Sequence, residues 1–258
     1  MKVVILCGGQ GTRLREETEF KPKPLVEIGG MPILWHIMKT YSHYGFKDFV
    51  LCLGYKGNMI KNFFLNYDKL SRDFTYNPNS NKITKHGEND IEDWNITFAE
   101  TGLNSETGSR IKKIEKYIDG DNFFLTYGDG VSNINIKELL DFHLKNGKIG
   151  TVTSVRPLTR FGLLEIEENN NITSFTKKRL VHDGWIDGGF FVFNKKIFNY
   201  LSNEESCMLE GEPLQKLSKD GQFMAFKHTG FWQCMDNIRD SKMLNEMWES
   251  NPEWKIWG

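Results

Sequence analysis

Short, mostly uninterrupted apolar runs, each closed by glycine or a turn and followed by a helical period, constrain this chain most. Residues 2–6, 49–53, 95–99, 123–127 and 150–155 read as five such strands. A strand with one wet face alternates polar and apolar residues, whereas a strand that is apolar throughout is buried on both faces. Between the first two runs, residues 32–44 place Ile33, Leu34, Ile37, Met38 and Tyr41 at helical spacing. Residues 58–64 and 136–144 read as further helices. This alternation predicts an α/β fold: a Rossmann-like, doubly wound, mostly parallel sheet. Ligands of such sheets bind beyond the carboxyl ends of the strands. Two glycine-rich turns, at 8–11 and 128–130, fall at that edge.

The second half changes character. Residues 161–166, 172–175, 189–193 and 223–228 read as strands with antiparallel connections, a small antiparallel subdomain, and 214–219 and 241–249 as helices. Residues 67–93 are polar and predict a long insertion or flap over one face. The 258 residues suit a single domain with two parts, 1–155 and 156–258.

Charge and cysteine use exclude several classes. The formal net charge of −1 gives no general attraction to nucleic acid or membrane. The first apolar run is too short for a signal segment or a membrane span. Cys7, Cys52, Cys207 and Cys234 lack C-x-x-C spacing, and Cys7 and Cys52 sit in strand-like runs. The reading is a cytosolic protein without a structural disulfide.

Four motifs carry chemistry. In Leu6-Cys7-Gly8-Gly9-Gln10-Gly11-Thr12-Arg13-Leu14, three glycines let the backbone approach a ligand and expose N–H groups to phosphate oxygens, and Arg13 adds a charged fork. No Gly-Lys-Ser/Thr follows, and the dinucleotide Gly-x-Gly-x-x-Gly spacing is absent, which argues against a Rossmann oxidoreductase. In Lys21-Pro22-Lys23-Pro24-Leu25, prolines hold the lysines in place. In Thr126-Tyr127-Gly128-Asp129-Gly130, a carboxylate at a strand end can reach a metal. In Gly230-Phe231-Trp232-Gln233-Cys234-Met235-Asp236, the last residue supplies a second carboxylate. Singly, these are equally a tight turn, a solvated basic turn, an Asx turn and a helix N-cap.

In this order the motifs resemble the sugar nucleotidyltransferases, or nucleoside-diphosphate-sugar pyrophosphorylases. The resemblance spans nearly the whole chain and takes in Glu27-Ile28-Gly29-Gly30, Pro32-Ile33-Leu34-Trp35-His36, Gly54-Tyr55-Lys56-Gly57, Gly188-Gly189-Phe190-Phe191-Val192 and Trp254-Lys255-Ile256-Trp257. The later motifs resemble the branch that uses CTP and glucose 1-phosphate.

The resemblance implies a nucleotide-binding part in 1–155 and an acceptor-binding and C-terminal part in 156–258. It implies that Leu6, Cys7, Gly8, Gly9, Gln10, Gly11 and Thr12 hold the base and triphosphate, with Gly128 beside them. Arg13 and Lys23 would contact the phosphates, Ser105 and Arg110 would help enclose the nucleotide, and Asp129 and Asp236 would bind Mg²⁺. Arg13, Lys23 and Asp129 would be the catalytic set. A phosphate oxygen of the acceptor would attack the α-phosphorus of CTP directly, releasing pyrophosphate. Acceptor binding would fall to Lys177, Lys178, Asp187 and Gly188.

Two positions depart from the family pattern. Its acceptor motif is Glu-Lys-Pro, where this chain has Lys177-Lys178-Arg179, and its Asn before Gly-Gly is here Asp187. Lys177 can only donate where Glu accepts. Either Lys177 pairs with Asp187 and the acceptor remains glucose 1-phosphate, or the acceptor differs. A non-catalytic nucleotide-binding relative is the remaining alternative. A homo-oligomer is also expected, with Trp248, Trp254 and Trp257 offering apolar surface to cover.

Overall fold

Side chains that alternate in direction along a strand sort into two cores when both faces are covered. The chain was analysed as a computed structural model that describes residues 1–87, 91–156, 163–166, 171–176 and 184–258. Its central sheet comprises β1 (Val3–Leu6), β2 (Asp48–Leu53), β3 (Asn95–Glu100), β4 (Asn122–Tyr127), β5 (Gly150–Val155), β6 (Ile186–Asn194) and β7 (Phe223–Lys227). Val3 and Ile5 of β1 join one core, and Val4 and Leu6 the other. The first core is closed by α1 (Ile33–His43), α2 (Gly57–Leu70), α4 (Ile136–Asn146) and α6 (Ile238–Ser250). Behind the second lie Ile111 of α3 (Thr107–Lys113) and Leu217 of α5 (Glu212–Lys219).

The strand order is β7-β5-β6-β4-β1-β2-β3. β1 pairs in parallel with β2 and β4, and β2 with β3. Only β6, among the seven, runs antiparallel to its neighbours. The expected strands are therefore present with bounds shifted by up to three residues, residues 161 and 162 lying outside those described, and the sheet is mostly parallel. Small antiparallel pairs flank it, including Leu163–Ile166 with Ile172–Thr176. The antiparallel expectation fails for β7, which pairs in parallel with β5. After β6 the chain returns to the carboxyl edge, and α5 crosses back before β7 begins.

The polar stretch at 67–93 is partly regular. α2 continues through its start, and Phe74–Asn77 pairs with Lys82–Lys85 as a solvent-exposed hairpin. All four cysteines are free. Among the described residues no helix is long and apolar enough to cross a membrane.

The C-terminal tryptophans correct the sequence reading. Trp254 is fully buried, Trp257 is buried, and Trp248 packs against the same core. They enclose His36 of α1, whose Nε2 lies 2.9 Å from the Ile28 carbonyl and whose Nδ1 lies 3.4 Å from Trp254 Nε1. One nitrogen donates and the other accepts, which fixes a neutral imidazole. Burial lowers its pKa to about 4. Trp254 and Trp257 thus finish the protein's own core, and Trp248 is partly buried against it.

Candidate active site

The glycine-rich turn after β1 is pinned from below. Arg110 of α3 is almost fully buried, and its guanidinium bonds to the carbonyls of Gly8 (3.0 Å), Leu53 (3.1 Å) and Gly102 (2.7 Å) and to Thr101 Oγ1 (2.8 Å). A Cβ on Gly8 would collide with that guanidinium. Glycine there lets the arginine join the β1, β2 and β3 loops. Gly11 has φ of 64°, a left-handed conformation natural to glycine. Thr18 donates to the Gly11 carbonyl at 3.0 Å and closes the turn. Desolvation holds the Cys7 thiol well above its ordinary pKa, so Cys7 acts as packing.

This turn forms one wall of a cavity of about 680 Å³. The sequence-expected residues 6–13, Lys23, Ser105, Arg110 and Gly128 all line it. Ser105 and Arg110 spend polar atoms on protein groups: Ser105 Oγ donates to the Thr101 carbonyl at 2.7 Å and accepts from Lys113 Nζ at 2.7 Å. Their described bonds make them braces of the wall.

The two carboxylates meet because two motifs pair. Gly130–Ser132 and Trp232–Cys234 form an antiparallel ribbon, and the Met235 N–H donates to the Asp129 carbonyl at 2.8 Å. Helix α6 is capped by Asn237, in a reciprocal box with Asp240, so the N-cap reading of Asp236 is replaced. The carboxylate of Asp236 turns to the cations. Lys23 Nζ lies 2.6 Å from Asp129 Oδ2 and 2.9 Å from Asp236 Oδ1, and Arg13 Nη1 lies 2.8 Å from Asp236 Oδ2. Burial acts to lower the Lys23 pKa, but the two aspartates more than offset it, and the net shift is upward. Lys23 is therefore a held ammonium.

A smaller cavity of about 50 Å³ shares Asp129 and Tyr127 with the first and is lined also by Asp187, Gly188 and Trp232. Asp187 Oδ1 accepts the Gly189 N–H at 2.7 Å, and its Oδ2 lies 3.3 Å from the Tyr127 hydroxyl. Tyr127 also donates to Glu210, whose other oxygen accepts from Thr107 at 2.6 Å. Desolvation, with the nearby Glu210 charge, raises the Asp187 pKa despite the Gly189 N–H and the nearby Tyr127 hydroxyl. Lys177 and Lys178 lie outside the described residues, as does any pairing of Lys177 with Asp187.

Residues 2–248 match the Nucleotidyl transferase family. The chain belongs to the nucleotidyl transferase family. This nucleotidyl transferase is 47% identical to the glucose-1-phosphate cytidylyltransferase of Salmonella typhi, with 100% of each chain covered. It is 44% identical, again over 100% of each chain, to the probable glucose-1-phosphate cytidylyltransferase of Bacillus subtilis (strain 168). HddC from Yersinia pseudotuberculosis, solved with GMP-PN, shares the fold with a TM-score of 0.70 and 24% identity, covering 96% of this chain and 99% of that one. A UDP-glucose pyrophosphorylase complexed with UDP-glucose superposes with a TM-score of 0.68 and 15% identity, covering 96% and 98%.

Thr107, Tyr127, Glu210 and Trp232 were not assigned roles from the sequence of this nucleotidyl transferase. Tyr127 and Trp232 stand inside quoted motifs and could have been found there. Glu210 is followed by Gly211 in a polar loop, and only the fold brings it to Tyr127.

Proposed function

We propose that this nucleotidyl transferase is a cytidylyltransferase that joins CMP from CTP to glucose 1-phosphate, giving CDP-glucose and pyrophosphate. The observation that carries this reading is the convergence of Lys23, Asp129 and Asp236 where a large cavity meets a small one. Such a junction suits a donor on one side and an acceptor on the other. The full-length relatives supply the choice of CTP and glucose 1-phosphate.

In this reading residues 6–12 and Gly128 present backbone to the base and triphosphate. Arg13 and Lys23 neutralise charge as it builds on the phosphates. Ser105 and Arg110 hold the wall in shape. The acceptor's phosphate oxygen attacks the α-phosphorus, the α-phosphorus bond to the bridging oxygen breaks, and the electron pair leaves with pyrophosphate. The attacking oxygen is already anionic, so positioning and charge neutralisation suffice.

Two carboxylates whose oxygens already converge on one cation, Lys23, are a suitable donor pair for Mg²⁺, which keeps waters and shares substrate phosphates. Among the described residues no cluster of three or more His, Cys, Asp or Glu forms a dedicated metal cage. Asp129 and Asp236 would hold the ion, and it would supply further charge neutralisation at the phosphates.

Lys178 would meet the acceptor phosphate, beside Lys177, Asp187 and Gly188. A different phosphorylated acceptor is the second reading, favoured by Lys177 where the family pattern has a carboxylate and by Asp187 where it has Asn. A matrix of CTP, UTP, GTP and dTTP against glucose 1-phosphate, other sugar phosphates and acidic phosphorylated acceptors tests both. Pyrophosphate release highest with CTP and glucose 1-phosphate supports the first. Comparable rates with UTP or dTTP reject the CTP assignment.

We place the protein in the cytosol, where thiols stay reduced, in keeping with its four free cysteines. We also expect a homo-oligomer. Its support is now the exposed hairpin carrying Phe74 and Tyr76, since an isolated two-stranded hairpin is marginal in water. Sedimentation giving only a 30.0 kDa species rejects assembly.

A further inference from the structure

Lys23 stands at the point on which the two carboxylates converge. Its ammonium is 2.6 Å from Asp129 Oδ2 and 2.9 Å from Asp236 Oδ1, while Arg13 occupies the other Asp236 oxygen at 2.8 Å. The Lys23 side chain is 11% exposed, and Pro22 and Pro24 fix the backbone on either side. The formal charges of Lys23, Arg13, Asp129 and Asp236 cancel. A divalent cation entering alone would compete with an ammonium for the same oxygens. It would also leave a largely buried ammonium without its counter-ions, which is costly. A triphosphate changes the balance, because its oxygens can receive both Lys23 and Arg13 as they leave the carboxylates.

We propose that Lys23 is an internal substitute for the metal ion: it closes the Asp129–Asp236 pair to divalent cations in the free protein and releases it when a nucleoside triphosphate draws the ammonium away. Metal and nucleotide binding are then coupled through one side chain. Because linkage is reciprocal, the metal tightens nucleotide binding by the same factor. The inference rests on the proposed reading of Asp129 and Asp236 as the metal-binding pair.

The test measures Mn²⁺ binding by electron paramagnetic resonance, without turnover, on the full chain. The samples compared are the free protein, the protein with a non-hydrolysable α,β-methylene analogue of CTP, and the variants Lys23→Met, Lys23→Arg, Lys21→Met and Lys23→Met with Asp129→Asn. Lys21 serves as the charge control because it pairs with Glu17 and Glu27 instead. The expected result is at least tenfold tighter Mn²⁺ binding by free Lys23→Met than by the free wild-type protein. Lys21→Met should leave binding unchanged, and Lys23→Arg, which keeps a cation in place, should stay closed. Adding Asp129→Asn to Lys23→Met should remove the gained binding. Lys23→Gln repeats the comparison should Lys23→Met not fold.

Equal Mn²⁺ affinity of free wild-type protein and Lys23→Met overturns the proposal, as does an equal gain in Lys21→Met. If the wild type with the analogue binds Mn²⁺ through Asp129 but Lys23→Met alone gains nothing, the substitute role fails and the functional reading stands. If Lys23→Met gains an Asp129-dependent site while CTP is no substrate, the substitute role stands and the CTP reading fails.

Discussion

The phenol of Tyr127 donates to the carboxylate of Glu210, tying the end of β4 to the loop that leads into α5. Asp187 lies 3.3 Å from the same hydroxyl, and one phenolic proton cannot serve both carboxylates. Asp187 lines the small cavity, and with the phenolic proton given to Glu210 its carboxylate keeps lone pairs to spare, suited to the hydroxyls of a sugar; Glu210 acts on that cavity through Tyr127.

From this follows a test of acceptor binding. Glu210→Gln is expected to raise the acceptor KM roughly ten- to hundredfold, in line with about 1.5–3 kcal/mol for a charged hydrogen bond, and to leave the CTP KM near its wild-type value. Steady-state kinetics with each substrate varied in turn checks it. An unchanged acceptor KM would show that Glu210 does not act on the acceptor site through Tyr127.

Acceptor choice at the two departing positions is tested by exchange. If glucose 1-phosphate is the acceptor, Lys177→Glu should raise its kcat/KM, and the double change Lys177→Glu with Asp187→Asn should restore the family pattern. Lys178→Ala should mainly harm acceptor use. Acceptor profiles identical to wild type in all three variants would exclude these residues from the pocket.

The metal pair makes a sharper demand. Asp129→Asn or Asp236→Asn is expected to abolish nearly all pyrophosphate release while the circular dichroism spectrum stays native. EDTA should do the same to the wild type, with recovery on excess Mg²⁺. Full activity in EDTA rejects the metal assignment.

Arg110 should behave as a brace. Replacing it by alanine removes one donor each from the buried Gly8 carbonyl, which keeps the Tyr55 N–H, and the buried Leu53 carbonyl, which keeps Thr101, and unties the loop at Gly102. A loss of about 3 kcal/mol or more is expected, with a raised CTP KM. Denaturant melts and CTP kinetics measure the two effects. A stable variant with normal CTP binding would show that the loop holds itself.

Buried histidines give a pH signature. Burial lowers the pKa of His36 and of His143 from 6.5 to about 4. Between these values the unfolded chain binds more protons than the folded one, so their contribution to stability is present above 6.5 and lost as pH falls toward 4. His143→Gln should show a shallower fall than wild type over that window in urea melts. Parallel curves would mean that His143 does not set the slope.

Much of the fold was legible because burial on both faces writes itself locally. Residues 49–53 and 123–127 could be little else than inner strands, and the spacing of Ile33, Ile37 and Tyr41 matches α1. Less legible were elements that lack an apolar period. The one-turn helix Arg15–Thr18 has none, and in α3 Ile111 is the one buried large apolar side chain. Strand partners were hidden too, since nothing within residues 223–227 distinguishes parallel from antiparallel pairing. The tryptophans misled because composition records that they are apolar and not that the chain folds back over His36. At the site, glycines, lysine and the two aspartates signalled through close motifs. Glu210 could not, because its meeting with Tyr127 is a product of tertiary packing.

The reversed direction of β6 has a consequence beyond pairing. Because it runs against its neighbours, its beginning, with Asp187 and Gly188, lies at the edge where β1 and β4 end. Asp187 and Gly188, proposed to meet the acceptor, thus belong to the start of β6, whereas the glycine turn and Asp129 follow strands read in the other direction. If Lys177, Lys178, Asp187 and Gly188 meet the acceptor as proposed, a lineage can rewrite the sequence around 177–188 while the glycine turn and Asp129 are inherited intact, so acceptor diversity among such enzymes should concentrate there.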